Sequence, residues 1–119
     1  MVKLFSDNSN NPERALQVWQ ILIAKAESRQ TITYGDLGKL IGYRGATNLS
    51  HILGHIKDYC DQNKLPPLTA LVVNKQTGIP GKGLDTLKDG DSDRESVFKY
   101  DWYGIVPPTP DEFREAKQT

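Results

Sequence analysis

The sequence predicts an α+β domain: a winged-helix-like helical core with a short β element, closed by an aromatic C-terminal segment. Three observations predict it. Residues 33–41 and 46–61 both carry apolar side chains at helical spacing, and the glycine-bearing turn Gly42-Tyr43-Arg44-Gly45 separates them, which is a helix-turn-helix pattern. A short β-branched apolar run, 68–74, follows, and then an irregular glycine-rich return, 79–84. Residues 96–106 carry Phe98, Tyr100 and Trp102 at alternate positions. The 119 residues make one domain, near the commonest domain size. Residues 11–84 read as the winged-helix-like core and 85–119 as a C-terminal extension.

Taken in order, residues 1–10 are polar, apart from Val2, Leu4 and Phe5, which are expected to add to the core or a sheet edge. Asn11-Pro12 reads as a helix start, with Asn11 as cap and Pro12 in the first helical position. Glu13 then sits at the positive end of the helix dipole. Leu16, Trp19, Ile23 and Ala26 share a face that Ala15, Val18 and Leu22 widen, so this helix is the expected support for the two-helix unit. Residues 30–32 link the two.

In the first helix of that unit, Thr33 and Asp36 have the spacing of a capping box, and Gly42 supplies the left-handed stop. Leu37, Leu40 and Ile41 are expected on its buried face. The second helix has the stripe Leu49, Ile52, Leu53, Ile56 and Cys60, and the opposite face Thr47, Asn48, Ser50, His51, His55 and Asp58. Pro66 and Pro67 end the helical pattern, and 68–74 reads as a strand. Residues 75–78 form a turn. Pro80, Gly81 and Gly83 make the return an edge-like arm, and this wing carries Lys75 and Lys82. Residues 85–95 read as a solvated acidic connector, 96–106 as strand-like, and Thr109-Pro110 as the start of a last short helix.

Formal net charge is zero, which excludes a uniformly basic protein, but the charge is uneven. Residues 62–84 hold Lys64, Lys75 and Lys82 and no acid; residues 85–95 hold Asp85, Asp89, Asp91, Asp93 and Glu95 against Lys88 and Arg94. With Cys60 the sole cysteine, no disulfide can form within the chain, which fits a reducing compartment. No apolar run reaches the roughly 18 residues of a membrane span, and the N-terminus lacks the pattern of a secretory signal. A cytoplasmic location without membrane contact is the expectation.

Chemistry-bearing patterns are few. His51 and His55 lie four apart on one helix face, but no third ligand accompanies them, and a catalytic zinc wants three. Asp89, Asp91 and Asp93 have the spacing that opens a calcium loop, yet Arg94 stands where the glycine belongs and Tyr100 where the bidentate glutamate belongs. Cys60 falls on the apolar stripe and reads as an inert hydrophobe. No nucleophile-base spacing, phosphate-binding glycine loop or dinucleotide fingerprint is present. No catalytic residue, metal site or cofactor is expected.

The segments ITYGDLGKLIG, GATNLSHILGHI and PLTALVVNKQTGIPGKGL resemble the C-terminal winged-helix DNA-binding domain of the O6-alkylguanine-DNA alkyltransferases and the alkyltransferase-like proteins. The resemblance covers roughly residues 15–84 and is carried by Tyr34-Gly35-x-Leu37 and by Leu71-Val72-Val73-Asn74 with Gly78 and Gly83. It implies a winged-helix fold, DNA as partner, and a phosphate contact at Tyr34. It also exposes departures. The family's arginine on the recognition helix falls on Thr47, and its Cys-His-Arg segment falls near Thr69-Ala70-Leu71, so the acceptor cysteine is absent.

The expected function is that of a non-enzymatic DNA-binding protein resembling the alkyltransferase-like proteins. Its DNA-binding residues would be Tyr34, Arg44, Thr47, Asn48, His51, Lys75 and Lys82, with a DNA duplex as partner. The alternative is a small protein-binding module of regulatory or immunity type on a winged-helix scaffold, which the neutral charge and the acidic 85–95 segment favour.

Overall fold

The computed structural model describes residues 2–7, 9–43, 47–74 and 90–117. Residues 75–84, expected as the wing, and residues 85–89, expected as part of the connector, lie outside them. Helix α1 (Asn11–Glu27) begins one residue earlier than expected, capped by Asn10. Of the two adjacent asparagines only Asn10 places Glu13 at the third helical position. There the Glu13 amide donates to Asn10 Oδ1 at 2.9 Å, and the Glu13 carboxylate accepts from the Asn10 amide at 3.0 Å, so two open donors are satisfied reciprocally. These bonds, first the Asn10 amide and then Lys3, hold the Glu13 carboxyl below its usual range. Ala15, Val18, Trp19, Leu22, Ile23 and Ala26 are buried, while Leu16 is only half-buried.

Helices α2 (Tyr34–Ile41), α3 (Thr47–Gln62), α4 (Gly90–Lys99) and α5 (Pro110–Lys117) all pack on α1, the support the sequence predicts. Trp19 is the hub. Its ring meets those of Tyr59, Trp102 and Phe113 at centroid distances of 5.9, 5.5 and 6.0 Å. Edge and tilted contacts of this kind are favoured by the ring quadrupoles. Val97, Trp102 and Phe113 thus share one hydrophobic core with α1 and α3.

The β element is smaller than expected. Strand β1 (Ile32–Thr33), within a stretch that reads as a linker, pairs in parallel with β2 (Val72–Val73), Ile32 opposite Val72 and Thr33 opposite Val73. Residues Leu68–Leu71 form a 3₁₀ turn instead of the expected strand. Pro67 accepts from the Ala70 amide at 2.9 Å, and β1 offers ladder bonds to only two residues, so the rest of the apolar run closes its hydrogen bonds locally.

The C-terminal segment corrects the sequence reading further. Residues 90–95, expected as connector, open α4, and 96–106 is not a strand: α4 runs to Lys99 and a 3₁₀ turn spans Trp102–Gly104. The Trp102 indole N–H donates to the Val97 carbonyl at 2.8 Å, and the Tyr100 amide donates to it at 3.3 Å, which turns the chain back on the helix. Helical packing buries Val97 and leaves Phe98 half-buried, where a strand would have buried Phe98. Arg29, left-handed at φ 55°, ties the end of α1 to α4. Its guanidinium bonds both Glu95 oxygens at 2.8 Å and lies 5.0 Å from the Phe98 ring centre, and it holds the Glu95 carboxyl below its usual range. The start at Thr109-Pro110 is as expected, with a reciprocal cap between Thr109 and Glu112. Val2 and Leu4 are exposed and Phe5 half-buried, so these three do not add to the core.

Among the described residues, no helix is long and apolar enough to cross a membrane, and no group of three His, Cys, Asp or Glu could hold a metal ion.

Candidate nucleic-acid interface

Helix α2 starts and stops where its residue types dictate. Thr33 Oγ1 accepts from the Asp36 amide at 3.1 Å. The reciprocal half of the box, Asp36 back to the Thr33 amide, is not formed. Gly42 ends the helix at φ 79°, ψ 21°, and the next amide, Tyr43, returns to the Gly38 carbonyl at 2.8 Å. Leu37, Gly38 and Ile41 form the buried face. Leu40 does not join it: at 60% exposure it is turned to solvent.

Outside the first turn of α2 lies an open cleft of about 420 Å³, lined by Lys25, Thr31, Ile32, Thr33, Asp36, Lys39 and Leu40. Lys39 makes no ion pair among the described residues, and Lys25 makes only a 3.5 Å contact with Gln30 Oε1. A Cβ placed on Gly35 would meet nothing within 4 Å, so the backbone there is open to a ligand. The cleft therefore combines two cations, one carboxylate and the positive end of a helix dipole, a mixture suited to an anion.

On α3 the apolar stripe is buried throughout: Leu49, Ile52, Leu53, Ile56 and Cys60 are 0% exposed. The polar face is narrower than the sequence predicts. His55 is buried at 7% exposure, and its Nδ1 lies 2.9 Å from the Phe113 carbonyl oxygen of α5. Gln62 Nε2 donates to the Ala116 carbonyl at 2.8 Å, so α5 lies along this side of α3. Ser50, His51 and Asp61 stay exposed, with Gly54 and Asp58 half-buried between them. This outward stripe is neutral in its first half and acidic in its second, where Lys57 is paired with Asp61 at 3.1 Å.

Of the residues expected to bind DNA, His51 is exposed on α3, and Tyr34 is half-buried at the first position of α2, packed against the core. Thr47 and Asn48 belong to the first turn of α3. Arg44, Lys75 and Lys82 lie outside the described residues. The sequence reading missed Lys25, whose place opposite Lys39 depends on the tertiary meeting of α1 and α2. It also missed Arg14, which is buried against the end of α2. Cys60 is buried on the apolar stripe, and that burial pushes its thiol up to about 12. Thr69, near the position of the missing acceptor cysteine, is 1% exposed and its hydroxyl has no hydrogen-bond partner among the described residues.

No family model, curated protein or solved structure matches this chain.

Proposed function

We propose that the chain is a non-enzymatic, winged-helix DNA-binding protein of the alkyltransferase-like kind, acting in the cytoplasm. One observation carries the reading: the first turn of α2, a helix that Gly42 ends before α3, opens onto a cleft flanked by Lys39, which makes no ion pair among the described residues, and by Lys25. A helix N-terminus with nearby cations is a ready phosphate site. On this reading Tyr34 and the α2 N-terminus hold a backbone phosphate. Thr47, Asn48 and His51, in the first half of α3, face base edges, as the N-terminal residues of a recognition helix do. Lys75 and Lys82 contact the backbone, and Arg44 a phosphate or base. Asp58 repels phosphate, and Asp61 is already paired with Lys57, so the contact is limited to that first half. Titrating a labelled duplex at several salt concentrations tests the proposal; no binding at low salt overturns it.

The second reading, a protein-binding module, is favoured by the same acidic half of the α3 stripe, Asp58 and Asp61, which would suit a basic protein surface better than a groove.

A further inference from the structure

We propose that Arg14 is a positioning residue, whose side chain fixes the turn between α2 and α3 on α1 and thereby sets the candidate DNA-binding unit. The link to binding rests on the DNA reading above; the fixing of the turn does not.

Arg14 sits in the first turn of α1, next to the core residue Ala15, and is only 8% exposed. A guanidinium this deep is usually paired with a carboxylate. Among the described residues Arg14 has none. Its Nη1 donates to the Ile41 carbonyl and to Gln17 Oε1, each at 2.8 Å, and its guanidinium carbon lies 4.8 Å from the centre of the Tyr43 ring. Ile41 is the last residue of α2, and its carbonyl is one of those a helix leaves open at its negative end, where a cation is favoured. Tyr43 is the first residue beyond Gly42. One side chain of α1 therefore grips the chain on both sides of the left-handed glycine.

The start of the turn, Gly42 and Tyr43, is already closed on α2. Gly42 adopts φ 79°, the Tyr43 amide returns to Gly38, and a Cβ on Gly38 would come within 3.2 Å of the Tyr43 carbonyl oxygen. These contacts shape the turn but do not dock it on α1. Arg14 does so across 27 residues of sequence. The cost is visible, for Arg14 Nε is buried without a partner among the described residues. A buried charge held at such a cost is consistent with the proposed role, a group that selects one arrangement of the turn over others.

The test compares wild type, Arg14→Met and Arg14→Lys by amide hydrogen exchange and by duplex titration against salt. Arg14→Met is expected to unfold cooperatively, with the Gly42 and Tyr43 amides exchanging about tenfold faster or more while Leu53 and Ile56 keep their protection. Duplex affinity is expected to fall about tenfold with the salt slope unchanged, since Arg14 neutralises no phosphate itself. Arg14→Lys keeps the charge but lacks the planar fork, and is expected to follow Arg14→Met. Wild-type protection at Gly42 and Tyr43 in Arg14→Met overturns the proposal. So does a uniform loss of protection across the core, which would mark a merely structural residue. A slope shallower by about one would show a direct phosphate contact and overturn it too. Failure of the wild type to bind duplex at low salt overturns the DNA reading, and with it the link to binding; the exchange data then decide the fixing of the turn alone.

Discussion

The imidazole of His55 on α3 and the main-chain carbonyl of Phe113 on α5 form a buried hydrogen bond, Nδ1 to oxygen 2.9 Å. A carbonyl can only accept, so Nδ1 carries the hydrogen and donates. The bond pins the C-terminal helix to the helix that the sequence marks as the reader of a groove. It takes His55 off the exposed face and leaves His51, one turn earlier, alone in solvent.

The two histidines should therefore answer unequally to the same change. His55→Ala removes a buried donor, leaves the Phe113 carbonyl less satisfied and opens a cavity beneath α5, for an expected loss of about 2 kcal/mol. His51→Ala should lie within about 0.5 kcal/mol of wild type, as surface changes do. Urea unfolding of both variants measures this. Equal losses would show that α5 does not depend on His55.

Backbone chirality gives a second paired prediction. Gly42 ends α2 at φ 79°, while Lys64, after α3, holds φ 57° with a side chain. Gly42→Ala should cost about 1–2 kcal/mol, the strain of a left-handed L-residue. Lys64→Gly should stabilise by about 0.5–1 kcal/mol, that strain relieved less the extra freedom of glycine in the unfolded chain. Thermal unfolding of the two variants should move in opposite directions; a shared direction would refute the account.

These particulars also show where the sequence was readable. The α1 face, the α3 stripe, the Thr33 and Thr109 starts and the Gly42 stop are local: a 3.6-residue period, a hydroxyl and a residue without Cβ decide each. The broad α+β class follows from them. The failures are tertiary. Nothing within residues 30–32 announces a partner 40 positions away at Val72. The alternation of Phe98, Tyr100 and Trp102 fits a strand, but the Trp102 indole reaching Val97 makes it a helix end and a turn. In the candidate site, Tyr34, Thr47, Asn48 and His51 fall on the unit the pattern predicts. Lys25, Lys39 and Leu40 meet at the cleft only through the packing of α2 on α1, and Leu40 misled because an apolar residue beside a buried stripe need not be in it.

The Cys60 thiol gives a prediction in pH. Desolvation by burial raises it from 9.0 in the open chain to about 12 when folded. The raised value means that the folded chain holds its proton where the unfolded chain has lost it. The stabilisation is therefore complete below pH 9.0 and is lost as pH rises towards 12. By a pH of about 10.5 the loss should reach about 2 kcal/mol, at 1.36 kcal/mol per pH unit. Cys60→Ala lacks this linkage, so the stability difference between wild type and variant should shrink by that amount between about pH 8.5 and about 10.5. The same burial predicts no transfer of an alkyl group: intact mass after incubation with O6-methylguanine duplex should show no adduct on Cys60.

The salt dependence of the proposed DNA binding follows from how few cations the site can offer. Lys39 has no ion-pair partner among the described residues and Lys25 only a weak polar one; Arg44, Lys75 and Lys82 complete the proposed set. Asp36 in the cleft and Asp58 and Asp61 on α3 subtract from it. Roughly three or four phosphates neutralised, each contributing about −0.9 to the slope of log K against log salt, give a total slope of about −3. Binding to undamaged duplex should then be micromolar or weaker at physiological salt, and independent of sequence to first order. Changing Lys75 and Lys82 together to alanine should weaken binding to every sequence and flatten the slope by about two. His51→Ala should instead leave the slope intact and alter only the ranking of sequences, because a base-edge contact releases no counterion. Fluorescence anisotropy of labelled duplexes over a salt series separates these outcomes. A wild-type slope near zero, or a lysine double variant that binds as the wild type does, would turn the reading toward a basic protein partner held by the acidic half of α3.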